Sequence, residues 1–362
     1  MDAGGISRRM LAFAGPLGLA YGSAALAAQR AVASPAFELA VRPTRVFKVA
    51  DRSHEDTETW IVSVVVQTGV FAQLKPASMQ IVLLKAGQPL RTIVYSTAGF
   101  TPLTYQTAAP RLLADGAAPA SPIFWPFLIR LRFTEPRALG VEAMRLTVET
   151  TDAAGRRQRQ SLTVPIETYV QKTSLVFPFR GKGIVLQAGA ANGGHRNRSG
   201  MFALDACGLD EAWSVVAAGD GKKNTDYPGW GRQIIAPADG VVVRARADRP
   251  DQPVADASDP RYYAPEYPQG GDPGNHLTID HGRGEFSMIA HFQAGSLQVK
   301  IGDSVRQGQP LGKLGHSGDT NAPHVHYQLQ AGPDWEYADA LPARFSNVNE
   351  EFLDRGTYFE TA

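Results

Sequence analysis

The sequence predicts an all-β chain in two parts: an immunoglobulin-like β-sandwich first, then a second antiparallel β-sheet domain. Length and composition give the first reason, because 362 residues at 43% hydrophobic content are enough to bury two cores. The second lies between Phe37 and Pro165, where short alternating or β-branched runs are divided by turn residues every dozen or so positions. The third is a change of texture from about Gln171. Glycine and histidine become frequent there, and only His54 of the 8 histidines lies before it.

Residues 1–33 come first in order. Arg8 and Arg9 precede a mostly apolar run from Met10 to Ala27 and the small residues Ala31 and Ala33, the order of a cleavable export signal. Gly15, Pro16, Gly18 and Gly22 make a poor permanent spanning helix, so no stable membrane span is expected once the signal is removed. Ser7-Arg8-Arg9 hints at twin-arginine export. The expected location is the periplasm or the extracellular space. Cys207 is the only cysteine, which rules out an intramolecular disulfide and leaves core size and bound metal to stabilise an exported chain. A net charge of +1 provides no broad attraction for nucleic acid, and no such partner is expected.

Residues 34–170 form the expected sandwich. Trp60 to Val66, Met79 to Leu84 and Arg145 to Thr150 are its clearest strands, and Thr151 to Gly155 supplies turn chemistry for a hairpin into Ser161 to Pro165. Ala108 to Pro122 reads as a long surface loop. His54-Glu55 lacks the second histidine of a helical metalloprotease motif, since Glu58 stands where it is needed. This half reads as a spacer or binding module.

Residues 171–362 hold the chemistry, with a C-terminal extension. Ile235 to Ala245 and Leu297 to Leu314 are Gly-punctuated and read as two tight hairpins, with the Pro/Asp/Tyr-rich stretch Asp248 to Gly274 as a long loop between them. In His324-Val325-His326-Tyr327-Gln328-Leu329, strand alternation puts both histidines and Gln328 on one face and three apolar residues on the other. Phe286 to Ala290 is a strand-like run ending at His291. Gly193-Gly194-His195 is followed by Phe202-Ala203-Leu204-Asp205, a loop histidine and then a carboxylate closing a short apolar run. Taken singly, each of these segments also has a structural reading.

Together, and in this order, they resemble the lysostaphin-type (LytM-domain) zinc endopeptidase family over about residues 172 to 335. Ala236 to Val242, Gly274 to Gly282, Gly302 to Gln309 and Gly315-His316-Ser317-Gly318 leading into Pro323-His324 also sit where the family has similar runs. The resemblance implies a LytM-type antiparallel sheet and one zinc ion held by His195, Asp205 and His326. It also implies a water in the open fourth position, with the catalytic histidines His291 and His324 beside it. It leaves open which of the two is base and which stabilises charge. The implied activity is hydrolysis of peptide crosslinks or stem peptides of bacterial peptidoglycan by attack of the metal-bound water. The alternative is a non-catalytic LytM-type module that binds and regulates another cell-wall hydrolase, and other cell-wall enzymes are further expected partners. Many family members separate the first His and the Asp by three residues, whereas Arg196 to Leu204 intervene here. Asp210 is the competing carboxylate, less favoured because Asp205 ends the alternating run.

Overall fold

A computed structural model describes residues 37–42, 44–50, 56–68, 74–100, 104–106, 124–188, 195, 199–253, 260–262, 264, 271–348, 353 and 355–362. The export signal, His54-Glu55, the loop 108–122 and much of the loop 248–274 lie outside these residues.

The first sheet is built from β1 (Glu38–Arg42), β2 (Val46–Ala50), β3 (Thr57–Thr68), β4 (Lys75–Lys85), β5 (Gln88–Tyr95), β6 (Thr104–Gln106), β7 (Phe124–Pro136), β8 (Ala143–Thr151) and β9 (Arg157–Thr168). Its order is β5-β4-β8-β9-β2-β3-β7-β6, with β1 on β3. Strand β9 joins the two halves. It pairs antiparallel with β8 from Arg157 to Pro165, then parallel with β2 from Ile166 to Thr168. Alternation along each half points apolar residues inward: Trp60, Val62 and Val64 from β3, Met79, Ile81 and Leu83 from β4, and Met144, Leu146 and Val148 from β8 share one core. Each such side chain, taken out of water, contributes about 1.5–3 kcal/mol.

The second half contains β10 (Gly181–Ala188), β11 (Leu204–Gly208), β12 (Gln233–Ile235), β13 (Gly240–Arg246), β14 (His276–Asp280), β15 (Phe286–Ala290), β16 (Ser304–Val305), β17 (Pro310–Lys313), β18 (Val325–Gln330), β19 (Ala340–Leu341) and β20 (Tyr358–Thr361). Its main sheet runs β16-β13-β14-β15-β18-β11-β10-β20, with β19 on β18 and a separate pair β12-β17. Leu277, Ile279, Ile289, Val325, Tyr327 and Leu329 cover one face. Phe177, Phe179, Phe345 and Phe359 close the core with edge-on ring contacts 4.7 to 5.0 Å from Phe177.

The two Gly-punctuated segments are not separate hairpins. They pair with each other: Gly240 and Val241 lie opposite Val305 and Ser304, and Ile234 lies opposite Gly312. Turn residues such as Asp239-Gly240 bend the chain, but the partner is chosen by which apolar faces meet in the core. From Ala36 onward the chain is one compact unit. Among the described residues, no helix is long and apolar enough to cross a membrane.

Candidate metal centre

Strand β18 is the base of the site. Val325, Tyr327 and Leu329 enter the core, while His326, Gln328 and Gln330 share the opposite face, with His324 just before the strand. Its sheet neighbours decide what those side chains meet. Asp205 on β11 lies directly opposite His326, and Ala290 on β15 lies opposite it on the other side. One residue beyond β15, His291 has φ of 64°, a left-handed conformation that a residue with a Cβ rarely adopts. Two backbone bonds hold it there: its N–H donates to the Pro273 carbonyl at 3.2 Å, and its carbonyl accepts from Gly315 N–H at 3.0 Å. Strain of this kind collects at functional sites and persists only where the surroundings over-determine it.

Around Asp205 Oδ1 three imidazoles converge: His326 Nδ1 at 3.0 Å, His195 Nε2 at 3.2 Å and His324 Nε2 at 3.6 Å. The His291 ring lies 4.7 Å from that of His324 and 6.0 Å from that of His326, centroid to centroid. All five residues expected from the sequence therefore meet. His195, Asp205 and His326 each offer one atom within 4.8 Å of the others, which is close enough to converge on a single cation.

The donor set fits a metal on two further grounds. Burial alone would raise the Asp205 carboxyl, but His195 and His324 outweigh it and hold the group well below the usual carboxylate range, so it is ionised. In addition, the buried Nε2 of His324 has no hydrogen-bond partner among the described residues, an orphan that interiors rarely tolerate unless something binds there. The histidines differ among themselves. Burial and its neighbours His324 and His326 push His291 well below its ordinary pKa; burial also lowers His326, whereas at His324 the Asp205 charge overcomes burial and raises it.

Outer partners set the ring orientations. His291 Nδ1 donates to the Ser317 carbonyl and His324 Nδ1 to the Ala322 carbonyl, both at 2.8 Å, so Nε2 is the lone-pair nitrogen of each neutral ring. Thr320 Oγ1 also lies 2.9 Å from His324 Nδ1. Sequence reasoning missed these supports, since a backbone carbonyl leaves no trace in residue type. Gln328 was legible on the polar face by alternation, although nothing marked it as the partner of His326 Nε2, which it meets at 3.0 Å.

The remaining candidates fall outside the cluster. Asp210 accepts the Ser214 N–H in a turn at 2.8 Å. His276 Nδ1 donates to the Gly274 carbonyl and His281 Nδ1 to that of Asp239, each at 2.8 Å, and His316 Nδ1 lies 2.8 Å from Asn224 Oδ1. Burial, reinforced by the Asp205 charge, pushes the Cys207 thiol up to about 12, and it donates to the Pro323 carbonyl at 3.2 Å.

Residues 220–336 match the model of peptidase family M23. That span includes His291, His324 and His326 but begins after His195 and Asp205, which the β11–β18 pairing brings in from upstream. The murein hydrolase activator EnvC of Escherichia coli (strain K12) is 28% identical over 101 residues, 28% of this chain and 20% of that protein. The match thus spans about a fifth of the curated relative's length. Among solved structures, the catalytic domain of a mutant of the prophage-encoded M23 protein EnpA from Enterococcus faecalis is similar at 18% identity and TM-score 0.30, covering 48% of this chain and 95% of that one. The catalytic domain of the antimicrobial peptidase lysostaphin from Staphylococcus simulans is similar at 20% identity and TM-score 0.25, covering 44% and 86%. Residues 220–336 of this all-β chain therefore form a LytM-type domain of peptidase family M23.

Proposed function

We propose that the chain is an exported zinc endopeptidase that hydrolyses peptide crosslinks or stem peptides of bacterial peptidoglycan. The observation that carries this reading is the convergence of His195, Asp205, His291, His324 and His326 from four separate stretches of chain onto one buried carboxylate. His195, Asp205 and His326 would hold the ion. Zinc bound there supplies Lewis-acid polarisation of the scissile carbonyl and activation of water.

The protein's own groups do the rest. His291 and His324, each with Nδ1–H tied to a backbone carbonyl, take up and return the proton at Nε2. When protonated, either imidazole also stabilises negative charge developing on the carbonyl oxygen. The Ser317 and Ala322 carbonyls keep both rings from rotating between these steps. The full-length purified protein should carry about one zinc per chain and release soluble peptides from peptidoglycan in a chelator-sensitive way. Asp205→Ala should lose the metal. His291→Ala and His324→Ala should keep it while turnover falls by about 10²–10⁴. Zinc-loaded protein that releases nothing from peptidoglycan would refute the reading.

The similarity to a murein hydrolase activator favours a second reading, a module that binds and switches on another wall hydrolase. It expects no peptide release by this chain alone and a gain in release when a separate wall hydrolase is added. His291→Ala would leave that gain intact.

A further inference from the structure

The face of β18 that carries His326 continues as a file of buried amides. Gln328 is 1% exposed and Gln330 0%, so each amide must find its partners inside the protein. The file has a direction. Gln330 Nε2 donates at 2.7 Å to the carbonyl oxygen of Gly332, an atom that can only accept. This turns Gln330 Oε1 toward Gln328, whose Nε2 donates to it at 2.5 Å. Gln328 then has only its Oε1 left for His326, 3.0 Å from Nε2. Because that oxygen also only accepts, the hydrogen of the neutral ring sits on Nε2 and the lone pair on Nδ1.

Nδ1 lies 3.0 Å from Asp205 Oδ1, which presents a lone pair of its own. Two lone pairs held face to face in a buried site repel each other. The amide file imposes this repulsion on the metal-free site, and a cation beside the two groups relieves it.

We propose that Gln328 and Gln330 are positioning residues, a one-way amide relay from the Gly332 carbonyl that selects the Nε2–H tautomer of His326 and so makes Nδ1 its metal-donor atom. The choice of Nδ1 as donor rests on the zinc reading given above; the tautomer does not, because the relay acts with or without metal. Leu329 on the same strand belongs to the core and takes no part.

Nitrogen NMR of ¹⁵N-histidine-labelled, metal-free, full-length protein reads the tautomer directly, and zinc affinity by chelator competition reads its consequence. The wild type should show His326 protonated at Nε2. Gln328→Leu, close in size but without an acceptor, should move the hydrogen toward Nδ1 and weaken zinc binding by about 10–100-fold. Gln330→Leu leaves Gln328 in place but frees its amide to turn over, and should give mixed tautomers with an intermediate loss. Gln328→Glu restores an acceptor for Nε2–H and should recover the tautomer, which separates the relay from mere filling of space. A wild-type His326 protonated at Nδ1, or a Gln328→Leu protein with unchanged zinc affinity, overturns the proposal. A wild type that shows Nε2–H and binds no zinc instead overturns the zinc reading and the donor assignment, while tautomer selection by the relay stands.

Discussion

At the scale of single residues, the geometry of the histidine cluster leans on positions outside it. Gly274 has φ of 62°, and a Cβ there would lie 2.2 Å from the Ser317 carbonyl oxygen, the atom that anchors His291 Nδ1. Gly274→Ala must therefore push that carbonyl away or strain the left-handed turn, and we expect a loss of roughly 2–4 kcal/mol in urea unfolding. An unchanged midpoint would show that the two loops can slide apart freely. His276 gives a pH signature. Burial, only partly opposed by the Gly274 carbonyl, holds it below its ordinary pKa, so the folded protein keeps it neutral while the unfolded chain binds a proton near about pH 6.5. The unfolded state then carries the extra proton, and this contribution is complete above that value and is lost as pH falls below it. Stability should rise with pH between the folded and unfolded pKa values, and His276→Gln, which keeps a donor for Gly274, should flatten that part of the profile.

At the scale of elements, β18 separates its two duties by face. Tyr327 turns inward, where its hydroxyl lies 2.8 Å from Ser287 Oγ, which in turn meets His281 Nε2 at 2.7 Å. Tyr327→Phe should cost about 1 kcal/mol of stability and leave zinc affinity unchanged, since the site lies on the other face; a fall in affinity would show that the faces are coupled. This division explains what the sequence made legible. Alternation around His324-Val325-His326 is a local property, and so is the strand ending at His291, and both are readable from neighbouring residue types. The Asp205–His326 contact spans 121 positions and depends on which strand β11 chooses to pair with, so only resemblance pointed to it. The same limit misled the reading of Ile235 to Ala245 and Leu297 to Leu314 as hairpins. Their glycines marked the bends correctly, but strands β12 and β13 took partners from the other segment.

At the scale of the whole molecule, the N-terminal half touches segments that flank the histidine cluster. Between His195 and Asp205 the chain passes through Met201, fully buried with Ala340 and packed by Ile61 and Phe202, and Ser63 Oγ of β3 lies 3.6 Å from its sulfur. A second tie lies at Glu285, 1% exposed, just before β15. Its carboxylate accepts from Tyr169 Oη, just after β9, and from Lys172 N and Thr173 N at the start of the second half, each at 2.8 Å. These contacts lie beside Met201 ahead of Asp205 and beside the strand that leads to His291. Among the described residues of the spacer, Met201 thus lies against β3. Met201→Ala removes no ligand, yet it leaves a cavity that should cost about 2–5 kcal/mol. If the N-terminal half braces the centre, the same substitution should also weaken zinc binding, because Met201 lies in the chain between His195 and Asp205. Glu285→Gln provides the contrast: it weakens the junction on the far side, and should lower stability with less effect on zinc. Measuring unfolding and chelator competition on both variants decides the matter. Equal loss of stability with unchanged zinc affinity in Met201→Ala would reduce the N-terminal half to a neighbour, whereas a selective loss of zinc would make it part of the apparatus that sets the ligand distances.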